Sequence, residues 1–184
     1  MRPLVRVHYA LVAVVCLVAA GTGMGRGWAQ SPLAQIVTDP HGRFAMAFPA
    51  SWQIATKPEG MVALLAAGPA EGGGHGPRVN VVVEPLPEPM APGAYAAQAE
   101  RLVAVAFHGY TVVQQGDATI AGRPAYYRYF TWEPNNLPPL YQLQVYFTSA
   151  RLGFVLTGST TNDPDSVRRD MPLIVQILST FRVL

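Results

Sequence analysis

The side chains of this sequence that could do chemistry are few. Beyond residue 30, Ser51 and Ser159 offer hydroxyls, His41, His75 and His108 offer imidazoles, and Asp39, Asp117 and Asp163 offer carboxylates. Those types are the parts of an acyl-transfer triad, in which histidine takes the serine proton and aspartate orients the ring. Neither serine stands in the G-x-S-x-G turn that presents a nucleophile on a strained strand-to-helix corner, and no carboxylate pair stands out for acid–base work. No catalytic residue is assigned, and the chain is expected not to be an enzyme.

The stretch EGGGHG, Glu71 to Gly76, raises two further chemistries. A phosphate cradle would end in Gly-Lys-Ser/Thr and open into a helix whose N-terminus takes the phosphate. Here Pro77 and the strand-like run RVNVVVE follow, so no cofactor site is assigned. A zinc site needs three or four ligands at set geometry. Glu71 could join His75, but His41, His75 and His108 lie in separate turn-like contexts. No metal site is assigned, and the glycines read as spare backbone in a hairpin loop, because glycine admits any backbone dihedral.

The only cysteine, Cys16, lies in the N-terminal run MRPLVRVHYALVAVVCLVAAGTGMGRGWAQ. Arg2 and Arg6 precede an apolar stretch from Ala10 to Ala20, and Gly27 and Ala29 stand before a cut between Ala29 and Gln30, the layout of a secretory signal peptide. The apolar run is shorter than the ~20 residues that span a bilayer, so no stable membrane span is expected after cleavage. Val15 before Cys16 argues against a lipoprotein signal. The expected organisation is a signal peptide over 1–29, a flexible mature N-terminus over 30–38 and a folded domain over 39–184, exported to the periplasm or the extracellular space. Cleavage removes three arginines, leaving ten basic against eleven acidic residues, so the charge moves from +2 to −1. Without a clustered basic face, nucleic acid is excluded as a partner.

The elements that would position any site follow from periodicity. FAMAF, from Phe44 to Phe48, alternates with period two, and Ser51–Ala55, Met61–Ala67 and RVNVVVE read as further strands. The proline-rich PLPEPMAP makes a stiff connector. Gly93–Phe107 reads as a helix with Tyr95, Ala99, Leu102, Val103 and Ala106 on one face, ended by His108 and Gly109. Tyr110–Gln114 reads as a strand, QGDA as a turn into Thr119–Ala121, and RPAYYRYFTW, YQLQVYFTS and FVLTG as strands after it. Asp163 and Pro164 open a last helix with Val167, Met171, Ile174, Leu178 and Phe181 in a stripe, which Pro172 is expected to kink or divide. Short turns permit only antiparallel neighbours, so the expected fold is α+β, one mostly antiparallel sheet with two main helices.

The order of signatures resembles the PsbP-like superfamily. GRFAMAFPASW, VNVVVEPLP before a helix, TIAGRPAYYRYF, and GFVLTGST before a proline-initiated helix ending in ILSTF carry the likeness, from Asp39 to Phe181. That superfamily takes in photosystem II extrinsic proteins, a Ran-binding nuclear protein and bacterial envelope proteins of the DcrB and LpqN type. The resemblance implies an α/β/α sandwich, and members that bind or assist assembly instead of catalysing. It supplies no catalytic residues. The resulting expectation is an exported, noncatalytic envelope module with an unknown protein partner, binding through Tyr127, Tyr129, Tyr146 and Leu137. Small-ligand carriage, or less so hydrolysis, is the alternative.

Overall fold

The computed structural model describes residues 32–57, 60–70 and 75–184. Residues 1–29, expected to be a signal peptide, and Glu71–Gly74 lie outside them. The elements run β1 (Gln35–Thr38), β2 (Phe44–Phe48), β3 (Gln53–Thr56), β4 (Val62–Ala67), β5 (Arg78–Pro85), α1 (Pro92–Ala106), β6 (Thr111–Ile120), β7 (Arg123–Trp132), β8 (Leu140–Ser149), β9 (Leu152–Thr161), α2 (Pro164–Ser179) and β10 (Arg182–Val183). Seven strands form one sheet in the order β3-β4-β5-β9-β8-β7-β6, every pair antiparallel. Two strand meanders meet where β5 pairs with β9, so the sheet is closed by a contact that no short turn provides.

Three expectations about the strands are corrected. FAMAF does not join the main sheet. It pairs with β1 and β10 in a separate three-stranded sheet, and β1 is built from residues 35–38, within the segment expected to be flexible. The reason is aromatic burial: Phe44 stacks on Phe181 at 5.6 Å and meets Phe154 edge-on at 6.5 Å, which ties β2 to the turn between α2 and β10 and to β9 of the sheet below. QGDA is no turn either, since β6 runs unbroken through it. Gly116 pairs with Tyr127 inside the strand, so the glycine makes no reversal. A bulge between Val112 and Gln114 absorbs the irregularity instead.

The two helices pack on opposite faces of the sheet, giving an α/β/α sandwich. Each seats on a glycine of β9: a Cβ at Gly158 would lie 2.1 Å from Ile174 of α2, and one at Gly153 2.6 Å from Tyr95 of α1. Phe154 and Leu156 share the α2 face with Val79, Val81, Val145, Ile174, Ile177 and Leu178, which form the larger core. Burying an aliphatic side chain of this size contributes about 1.5–3 kcal/mol. Asp163 caps α2 by accepting from the amides of Asp165 and Ser166, and the helix continues without a break through Pro172. The α1 core is smaller, made of Leu86, Tyr95, Ala96 and Tyr146. Leu102 and Ala106, expected on its inner face, are exposed, while Tyr95 and Ala96 at the start of α1 are buried against the sheet. None of the described helices is long and apolar enough to cross a membrane.

Candidate functional site

Strand pairing separates the four residues expected to form one binding surface. Tyr127 pairs with Val145 and Tyr129 with Leu143, so both face the α2 side, where they stand half-buried. Tyr146 pairs with Tyr126 on the other face and is fully buried, edge-on to Tyr95 of α1 at 5.7 Å. Tyr146 is therefore corrected from a surface residue to a core residue. Side chains alternate along a strand, so residues 127 and 146 share a face only if the register between β7 and β8 allows it, and the observed register does not. Tyr141 takes the vacated place. Its ring lies 5.9 Å from Tyr129, which lies 5.9 Å from Tyr127, and Gln114 Nε2 donates to the Tyr127 hydroxyl at 2.9 Å. The three tyrosines make a row on β7 and β8, beyond the strand on which α2 sits. Burial, followed by its tyrosine neighbours, raises the Tyr129 pKa, and burial raises that of Tyr141, so both phenols stay neutral past the ordinary range.

The α1 face carries a polar network. Arg128 is buried and donates to Gln115 Oε1 at 2.8 Å and Glu100 Oε2 at 2.9 Å, with its guanidinium 5.9 and 5.8 Å from the ring centres of Tyr126 and Tyr146. Tyr146 in turn donates to Gln144 Oε1 at 2.5 Å. A buried cation needs such partners, and these lock β6, β7 and α1 together. The network is structural.

Leu137, the fourth expected residue, lines a recess of about 50 Å3 at one end of this face, beside His75, Arg78, Trp132, Gln142 and Ser159. The candidate serine and histidine thus share a recess, yet among the described residues no hydrogen bond joins His75 to Ser159. The other candidates are dispersed. His108 pairs with Glu133 at 3.3 Å, both exposed, and Asp163 serves as the helix cap. Asp39 binds Arg43 Nε at 2.7 Å and Nη2 at 2.9 Å. Burial works against its ionisation, but the Arg43 hydrogen bonds and charge outweigh it and hold the pKa below the ordinary value. No three His, Cys, Asp or Glu side chains converge among the described residues. Gly76 is fixed by close approach, since a Cβ there would lie 2.6 Å from the Gly68 carbonyl oxygen.

A larger cleft of about 410 Å3 runs along α2, walled by Trp52, Pro77, Pro172 and Leu173 with Arg168 and Arg169 at its side. Its charges are matched. Arg169 Nε donates to Asp170 at 2.8 Å, Thr160 Oγ1 donates to the same carboxylate at 2.5 Å, and Arg168 stands 3.6 Å from Asp165. Sequence periodicity marked the stripe of α2 but not this cleft, which needs residues from three separate segments.

An antiparallel sheet with a helix seated on each face is a fold that this chain shares with solved PsbP-like structures. Cyanobacterial PsbP (CyanoP) from Synechocystis sp. PCC 6803 superposes with a TM-score of 0.61 at 14% identity, covering 89% of this chain and 98% of that one. LpqN of Mycobacterium tuberculosis, involved in cell envelope biogenesis, gives 0.56 at 16% identity, covering 81% and 89%. The Saccharomyces cerevisiae Ran-binding protein Mog1p gives 0.53 at 10%, covering 81% and 94%. Within that class the chain belongs to the DcrB family, whose model matches residues 45–180. No curated protein sequence matches it.

Proposed function

We propose that the chain is an exported, noncatalytic accessory module of the cell envelope that docks a protein partner through the tyrosine row. The observation that carries this reading is the row itself: Tyr127, Tyr129 and Tyr141, ring to ring at 5.9 Å, half-buried on a stretch of sheet beyond the strand that α2 covers. Rigid aromatic side chains with a polar tip supply most of the energy at protein interfaces. The likeness to LpqN, involved in cell envelope biogenesis, supports the compartment, and the likeness to Mog1p, a Ran-binding protein, supports a protein as the partner. The signal-peptide layout of residues 1–29 supports export.

The test is site-specific crosslinking in intact cells, with a photoreactive residue at position 129 and, as control, at exposed Arg101 on α1. A discrete crosslinked species from position 129 only, lost in the Tyr127→Ala/Tyr141→Ala double variant while the melting curve holds, is the expected outcome. Equal labelling from both positions would refute the tyrosine row as the interface. Small-ligand carriage is a second reading, supported by the apolar cleft of about 410 Å3 beside Trp52, a size within the range of small-molecule sites. An environment-sensitive apolar dye that binds the wild type and not Leu173→Glu would favour it.

A further inference from the structure

We propose that the recess between β5, β7, β8 and β9 binds a small oxyanion, a phosphate or carboxylate group. It opens on the α1 face, away from the tyrosine row, and does not depend on the partner reading above.

Strand register builds the recess in two adjoining rows. Arg78 pairs with Ser159, which pairs with Gln142, so these three side chains stand abreast on β5, β9 and β8. Thr161 pairs with Leu140, which pairs with Trp132, and these form the next row on β9, β8 and β7. His75 and Leu137 close the rim. Neighbours in register on one face lie close enough for several of them to reach one small group.

The chemistry of this lining is one-sided. Arg78 supplies a permanent positive charge, Trp132 an indole N–H, and Ser159 and Thr161 hydroxyls able to donate, while no carboxylate lines the recess among the described residues. Arg78 forms no ion pair among the described residues. Trp132 Nε1 is shielded from solvent and has no hydrogen-bond partner among them, although the ring is fixed by stacking on Phe107 at 4.2 Å. A buried donor without an acceptor is costly, and a half-buried guanidinium without a counter-charge attracts an anion. An oxyanion in the recess would supply the counter-charge that Arg78 lacks and place an acceptor beside the Trp132 ring. The recess volume of about 50 Å3 exceeds the ~10–15 Å3 that one water requires and falls short of the ~300 Å3 at which drug-sized sites begin, so it suits a group of four or five heavy atoms. Leu137 and Leu140 at its side would meet the apolar remainder of a larger molecule carrying that group.

The experiment is a titration of protein isolated in the form the cell produces, with inorganic phosphate, acetate or phenyl phosphate against sodium chloride at matched ionic strength. The readouts are the indole N–H resonance of Trp132 and the amide resonances of Ser159 and Thr161. Saturable shifts at all three with phosphate or acetate are expected, with affinity reduced about tenfold or more in Arg78→Gln and a few-fold in Trp132→Phe. Preference for phosphate over acetate would assign a phosphate group, the reverse a carboxylate, and tighter binding of phenyl phosphate would place that group at the end of a larger molecule. Shifts no greater than those in chloride would overturn the proposal. So would unchanged affinity in both variants; Trp132→Phe keeps the stacking ring, so this arm stands even where Arg78→Gln fails to fold.

Discussion

Tyr146 shows how one side chain takes its role from its surroundings. Burial between α1 and the sheet pushes its pKa far above the ordinary value, with the nearby Arg128 charge opposing the shift. A phenol whose folded pKa is raised binds its proton more tightly in the folded chain. Its contribution to stability is therefore complete below the unfolded value of about 10 and is lost as pH rises from there toward the folded value. Tyr110, Tyr129 and Tyr141 shift in the same direction, chiefly through burial, and add to the effect. Tyr146→Phe is expected to lower stability at pH 7 by about 1 kcal/mol, because Gln144 Oε1 loses its donor, and to make the loss above pH 10 shallower than in the wild type. Urea unfolding at the two pH values measures both. At this scale the sequence disclosed little: the tyrosine-rich strands were visible, but which tyrosines share a face depends on pairing across a loop whose length alone does not set register. The pairing of Arg128 with Glu100 likewise joins a strand to a helix 28 positions away.

Among the elements, β9 is the strand on which both helices depend. Gly158 and Gly153 lie on opposite faces five positions apart, each removing the side chain that would hold a helix off the sheet. Gly158→Ala is expected to destabilise the chain by about 1–3 kcal/mol, since a methyl group there overlaps Ile174, and the companion change Ile174→Ala should recover part of that loss by making room. Thermal or chemical unfolding of the two single variants and the double variant measures the coupling. Helices and most strands were legible in the sequence because their periods, two and three to four residues, are local. Asp163 and Pro164 were legible for the same reason, as a cap satisfies amides within three residues. Gly116 misled because a glycine that makes a turn and a glycine within a strand look alike until the partner strand is in place. Pro172 does not divide α2, because a missing N–H need not end a helix whose apolar stripe is held by a core.

Over the whole molecule, the meander of β3 to β5 and the meander of β6 to β9 are joined only by β5 against β9, with α2 and the small sheet laid over that seam. Amides of β5, β8 and β9 are expected to exchange with solvent only through global unfolding. Those of β3 and β6, the two edges, should exchange faster through local opening, as hydrogen exchange by mass spectrometry would show. Fast exchange throughout β5 would mean that the two meanders open separately. Local patterns in the sequence determined the class: period-two runs with short turns demand antiparallel pairing, and one capped amphipathic stripe demands a face to cover. The tertiary structure alone decided that β2 leaves the main sheet, that Tyr146 goes inside while Tyr141 stays in the row, and that Arg78, Trp132 and Ser159 line one recess. Those outcomes rest on register and on contacts between distant segments, and a pattern that repeats every two or four residues carries no information about either.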